Sequence, residues 1–99
     1  MLHEELISLK QLVLQEREVR FTQAFLAWQR DGQLFTWSGS VRGAAFEGIL
    51  ADAEEMSLAA TSLDGRTVSG RVVVLRPEVL DGLLAFVGVG PLIVAGREL

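Results

Sequence analysis

Ten glycines punctuate this 99-residue chain, and all of them fall at or after residue 32. Between them lie short apolar runs at 34–37, 44–51, 56–63, 67–75, 83–89 and 92–95. Runs of this length, set apart by glycine-bearing turns, have the pattern of strands in a small antiparallel barrel. Asp64-Gly65 stands where a hairpin would join the third run to the fourth, and Gly90-Pro91 separates the last two. Gly48 and Gly70 fall inside strand patterns. A glycine there marks a bulge or a sharp bend, and a small barrel needs such bends to close.

The first 31 residues read differently, with neither glycine nor proline. Leu2, Leu6, Leu9 and Val13, widened by Ile7, Leu12 and Leu14, recur at helical spacing and predict a helix to about Gln15. Glu4 and Glu5 in its first turn suit the helix dipole. Two continuations fit the charged stretch that follows. Phe21, Phe25 and Trp28 extend the helical pattern, and Gln23, Ala24, Ala27 and Gln29 are good helix formers. The other continuation starts a strand near Val19 and turns at Asp31-Gly32, placing Trp28 opposite Phe35 and Leu26 opposite Trp37. The helical continuation is the expectation. The fold expected is therefore α+β and mainly β, in a single domain over 1–99. An N-terminal helix over 1–28 packs on a strongly bent antiparallel sheet or barrel of about five or six strands over 33–99.

Length and composition exclude several classes of function. A chain of 99 residues that is 49% hydrophobic has apolar material for one core and no more. Without cysteine it has no disulfide framework, thiolate metal site or cysteine nucleophile, which fits a reducing, cytoplasmic compartment. His3 is the single histidine, and no histidine or nearby lysine activates Ser38, Ser40, Ser57 or Ser69. The segment Gly65-Arg66-Thr67-Val68-Ser69-Gly70 lacks the Gly-Lys-Ser/Thr ending of a P-loop. No enzymatic activity, cofactor or metal is expected. Glu4 and Glu5 replace the basic start of a signal peptide, and the longest uncharged stretch, 82–96, is too short and glycine-broken to span a bilayer. No membrane partner is expected.

Two segments, Gly43 to Gly48 and Gly65 to Gly70, share a Gly-x4-Gly frame. Taken with the expected helix and bent strands, the first frame resembles the Sm-like family, to which bacterial Hfq-type RNA chaperones belong. Gly43 and Gly48 match that family's two glycines, Leu50 its next apolar residue and Glu54 its acid. Met56-Ser57 resembles the family's Met-Asn pair, one residue early and with Ser for Asn. Leu75-Arg76-Pro77-Glu78-Val79-Leu80 is similar to its second motif, with Pro77 in place of a glycine. The match covers about residues 36–80, and a second placement, on Gly65 and Gly70, uses the C-terminal tail instead. The resemblance implies a non-enzymatic small barrel that assembles into a closed ring, with RNA a candidate ligand near Ser57 and Arg76.

Charge bears on that ligand. The net charge of −4 is opposite to that of a general nucleic-acid binder. Arg66, Arg71 and Arg76 form a local basic stretch that could repeat around a ring as phosphate contacts, or pair with the acidic cluster Glu47, Asp52, Glu54 and Glu55. Trp28, Phe35 and Trp37 could stack bases or form aromatic core. Apolar on both alternating faces and close to the C-terminus, the segment 83–95 reads as an edge strand that meets another copy of the chain. The alternative function is an acidic, oligomeric protein-interaction module without nucleic acid.

Overall fold

The computed structural model describes residues 2–44, 55–78 and 82–99, and among these every regular element is a strand. The strands are β1 (Leu2–Leu14), β2 (Arg17–Glu18), β3 (Gln23–Asp31), β4 (Leu34–Arg42), β5 (Glu55–Ser62), β6 (Thr67–Glu78), β7 (Leu83–Val94) and β8 (Arg97–Glu98). Six close a barrel in the order β1-β3-β4-β7-β6-β5, and β5 pairs back onto β1. All pairings are antiparallel. The run expected at 44–51 lies outside the described residues, apart from Ala44.

The expected N-terminal helix over 1–28 is overturned, since that segment forms β1, β2 and most of β3. A bulge explains the misreading. The pairing of β1 with β5 shifts between Leu9 and Gln11. Ile7 and Leu9 face the core before it, and Leu12 and Leu14 face the core after it. The extra residue turns a spacing of two into one of three, so the inward set imitates a helical stripe. Leu2 and Leu6, which completed that stripe, are 53% and 63% exposed. In β3 the helix formers Ala27 and Gln29 are recruited by pairing on both sides, to β1 and to β4. The hairpin alternative places its turn at Asp31-Gly32, one residue early, since Asp31 pairs with Leu34 and the turn is Gly32-Gln33, so the register differs. Trp28 pairs with Trp37 and Leu26 with Gly39, two residues from the expected partners.

Two small hairpins share a sequence pattern that reveals them. Leu12-Val13-Leu14 and Leu92-Ile93-Val94 are each followed by two turn residues, then Arg-Glu and an aliphatic residue. In both, the turn has left-handed backbone: Gln15 and Glu16 at φ 52° and 66°, Ala95 and Gly96 at 53° and 79°. Both close with the same bond, Val19 N–H to the Leu12 carbonyl and Leu99 N–H to the Leu92 carbonyl, each 2.9 Å. Such turns normally use Asn-Gly or Asp-Gly.

The segment 83–95 is not an edge. The strand β7 sits between β4 and β6, bent at Gly90-Pro91 rather than divided there. Its inward residues Leu84, Phe86, Leu92 and Val94 join Ile7, Leu12, Leu26, Val41, Leu58, Val72 and Val74 in the core. Gly39 admits the Phe86 ring, because a Cβ there would stand 2.3 Å from it. Gly70 lies at a register shift of β6 on β7, between Ser69 and Arg71, as a bend glycine should.

Two backbone predictions follow from these contacts. Glu16→Gly removes the strain of a side chain in left-handed backbone and raises stability by about 1 kcal/mol in urea denaturation. Gly88→Ala drives a methyl to within 2.1 Å of the Trp37 ring. It lowers stability by roughly 1–3 kcal/mol, and much of that loss disappears in the Trp37→Leu background.

Candidate functional site

At one end of the barrel, β1, β3 and β4 continue as a three-stranded flap past the point where β4 leaves β7. The pairing of β1 with β3 and of β3 with β4 runs to Asp31. The β4–β7 ladder stops at Ser38 opposite Val87. Pleating puts one row of flap residues on the inward side, and register places them across from one another. Glu5, Trp28 and Trp37 form one line across the three strands, and His3, Arg30 and Phe35 form the next.

Trp37 fills the gap left where the ladder ends. It is 5% exposed. Its indole lies against Gly88 and Gly70, and neither position has room for a Cβ. The indole N–H donates to the Gly90 carbonyl at 3.1 Å, bridging from β4 to β7 with a side chain instead of the backbone. Trp28 is half-buried and donates its indole N–H to Glu5 Oε1 at 3.1 Å. The other oxygen of Glu5 accepts from Arg66 at 3.1 Å. Phe35 packs at 5.9 Å and 38° to Trp28, and the Arg30 guanidinium lies 5.2 Å from the Phe35 centroid.

Below this aromatic surface opens a cleft of about 1060 Å³, between the start of β4 and the end of β7 with β8. Trp28, Phe35 and Trp37 line one side, and Gly90, Pro91 and Leu99 the other. The charged residues lining it are Glu4, Glu5 and Glu98, and all are acidic. Among the described residues no three His, Asp or Glu side chains converge as a metal site requires. The site offers aromatic faces, backbone and negative charge, which suit contact with a ligand.

The residues singled out for nucleic acid do not gather here. Ser57 and Arg71 are direct partners across β5 and β6, exposed on the outer surface. Arg71 is ion-paired to Glu55 at 2.5 Å. Arg66 lies in the β5–β6 turn, bonded to both Glu5 and Asp64 at 3.1 Å. Arg76 belongs to β6, and its side chain lies outside the described residues, as do Gly48, Leu50, Glu47, Asp52 and Glu54. Met56 of the family-like pair is core. Trp28, Phe35 and Trp37 do come together. Glu5 and the glycines at 88 and 90 were missed as site residues, and the signal for the glycines was their place in an otherwise apolar strand. No protein-family model, curated protein or solved structure matches the chain.

The turn beneath Glu5 is organised by Ser62, the one polar residue in the described core. Its hydroxyl donates to Asp64 and accepts the Arg66 backbone N–H at 2.8 Å. The Ser62 hydroxyl first, and then Arg66, hold the Asp64 carboxyl below its ordinary value of 3.8. Hydrogen bonds to Glu5 and then Asp64 raise the Arg66 guanidinium. A depressed carboxyl stabilises the fold above the unfolded value, and that contribution is lost as pH falls through the lowered one. Stability should therefore fall below about pH 4 in the native protein, with Asp64 contributing to the fall. Ser62→Ala moves the Asp64 titration, followed by NMR, back up toward 3.8 and costs about 1–2 kcal/mol in urea denaturation by leaving the Arg66 N–H without its acceptor.

Proposed function

We propose that the chain is a non-enzymatic small-barrel module that assembles with copies of itself into a closed oligomer, as its resemblance to Sm-like proteins implies. The observation that carries this reading is the outer face of β6 and β7. Leu75, Leu83, Val87, Val89 and Ile93 are exposed by 49%, 40%, 37%, 37% and 38% on strands already paired on both sides. Register brings Leu75 beside Ala85 and Val73 beside Val87, which join the apolar groups of 73, 75, 85 and 87, while Val89 lies beside Arg71 and Ile93 beside Ser69. A contiguous apolar patch on a small domain marks a contact surface. A β-sheet face with satisfied backbone offers only side-chain burial, which suits a symmetric contact between copies.

Protein is favoured over RNA as the partner. Arg66 and Arg71 already face carboxylates, and a phosphate would have to displace them on a chain of net charge −4. No helix among the described residues is long and apolar enough to cross a membrane. A cytoplasmic setting belongs to the same proposal and rests on the absence of cysteine.

Light scattering on the native chain should return a multiple of 10.8 kDa. Leu75→Lys combined with Leu83→Lys should return the monomer without loss of folded circular dichroism. A native monomer at micromolar concentration rejects self-assembly. Labelled oligo-U should not bind below about 100 µM at low salt, and binding that Arg76→Ala abolishes would reinstate RNA as the ligand.

A further inference from the structure

The cleft beside Trp37 differs in kind from the outer apolar face, because it exposes backbone. The turn at Gly32 and Gln33 closes on the pair Asp31 and Leu34. In a two-residue hairpin that closing pair exchanges both of its backbone bonds, and the alternation continues along the strands. Residues 34, 36 and 38 therefore bond toward β3, and residues 35 and 37 point their N–H and C=O the opposite way. On that opposite side the β7 ladder begins only at Ser38. Phe35 thus presents an unused donor and acceptor along the cleft, and the β4–β7 ladder covers none of residues 34–36. This is a short open edge of the flap, whose other edge is the side of β1 away from β3 over residues 2–7.

We propose that this edge is a strand-addition site, which takes an extended segment of a partner protein with apolar side chains at alternate positions and Lys or Arg between them. The occupant's extended form follows from the edge, since only a β-conformation pairs with the outward groups of Phe35 and continues toward Trp37. Its apolar side chains would meet the Trp28–Phe35 pair and Pro91 on the two walls of the cleft. Its basic residues follow from the rim. Among the described residues Glu4 and Glu98 line the cleft without an ion pair, and the two arginines that touch its lining are engaged, Arg30 over the Phe35 ring and Arg66 on Glu5 and Asp64. Leu34 stands 65% exposed at the cleft's mouth, ready to be covered by the added strand. An acidic or nucleic-acid segment would meet these carboxylates with its own negative charge. The inference stands apart from self-assembly, which uses the outer face of β6 and β7.

The test is a titration of the full chain with three capped ten-residue peptides. One alternates Val and Lys, one alternates Val and Glu, and one is the Val-Lys peptide with alternate backbone nitrogens methylated on its bonding edge. Amide and indole NMR signals are followed on the native chain and on the Leu75→Lys/Leu83→Lys variant, so that the result is independent of oligomeric state. Saturable binding of the Val-Lys peptide is expected, with shifts centred on 34–37 and on both indole N–H groups. Backbone methylation should weaken it about tenfold or more, and Glu98→Lys should weaken it several-fold. Equal binding of the methylated peptide would reduce the contact to surface charge and overturn the proposal. Shifts confined to β6 and β7, preferential binding of the Val-Glu peptide, or no binding up to about 1 mM would overturn it equally.

Discussion

The barrel depends on one side chain, the indole of Trp37, where β4 leaves β7. A backbone ladder that simply ended there would open the core, since Trp37 belongs to the same buried cluster as Leu92 and Val68. The indole closes the gap instead, lying on Gly70 and Gly88 and bonded to the Gly90 carbonyl. The magnitudes favour the exchange. Ladder bonds contribute about 1 kcal/mol each, net of water. A buried indole withdraws roughly 150–250 Å² from solvent, on the order of 4 kcal/mol. Two glycines are the structural condition, because any Cβ at either position would occupy the space of the ring.

Glu5 links this aromatic end to the adjoining β5–β6 turn. One of its oxygens fixes Trp28 and the other reaches Arg66, which is itself oriented by Asp64 and, through the backbone, by Ser62. The Arg66 and Glu5 side chains are 33% and 38% exposed, so their pairing contributes little to stability. Its effect is geometric. The β5–β6 turn is docked on β1, where Leu63 N–H bonds to the Ser8 carbonyl, and the ion pair holds the Trp28 indole over the cleft.

Much of the β architecture after residue 33 was legible, because glycine-bounded apolar runs have few other solutions. The turns at Gly32 and Asp64-Gly65 were legible for the same reason. The first strand was not. A single bulge near Lys10 changes inward spacing from two to three, and a periodicity argument cannot tell that from helix. The register of β3 on β4 escaped too, since a slip of two residues leaves every side chain on its original face. Both Trp28 opposite Phe35 and Trp28 opposite Trp37 look like good aromatic pairs. At the site, the aromatic residues could be named from sequence but not the cleft. That space exists because Gly70 and Gly88, distant in the chain, leave room for one ring, and no local pattern carries this information.

Closing a sheet into a barrel removes its edges, so the place where a barrel stays open carries meaning. Here β2 and β8 cap the ends of β1 and β7 with short turns built on left-handed residues. Both hairpins satisfy strand ends that would otherwise be free. Left-handed conformation at Gln15, Glu16 and Ala95 has a strain cost that a simple loop would avoid. A chain that covers two strand ends at that cost leaves the outward backbone groups of Phe35 uncovered beside an aromatic cleft. The acids Glu4, Glu5 and Glu98 on the cleft lining then restrict what can pair there. An edge flanked by like charges repels a second acidic edge, so the same residues that would select a basic strand also discourage edge-to-edge aggregation.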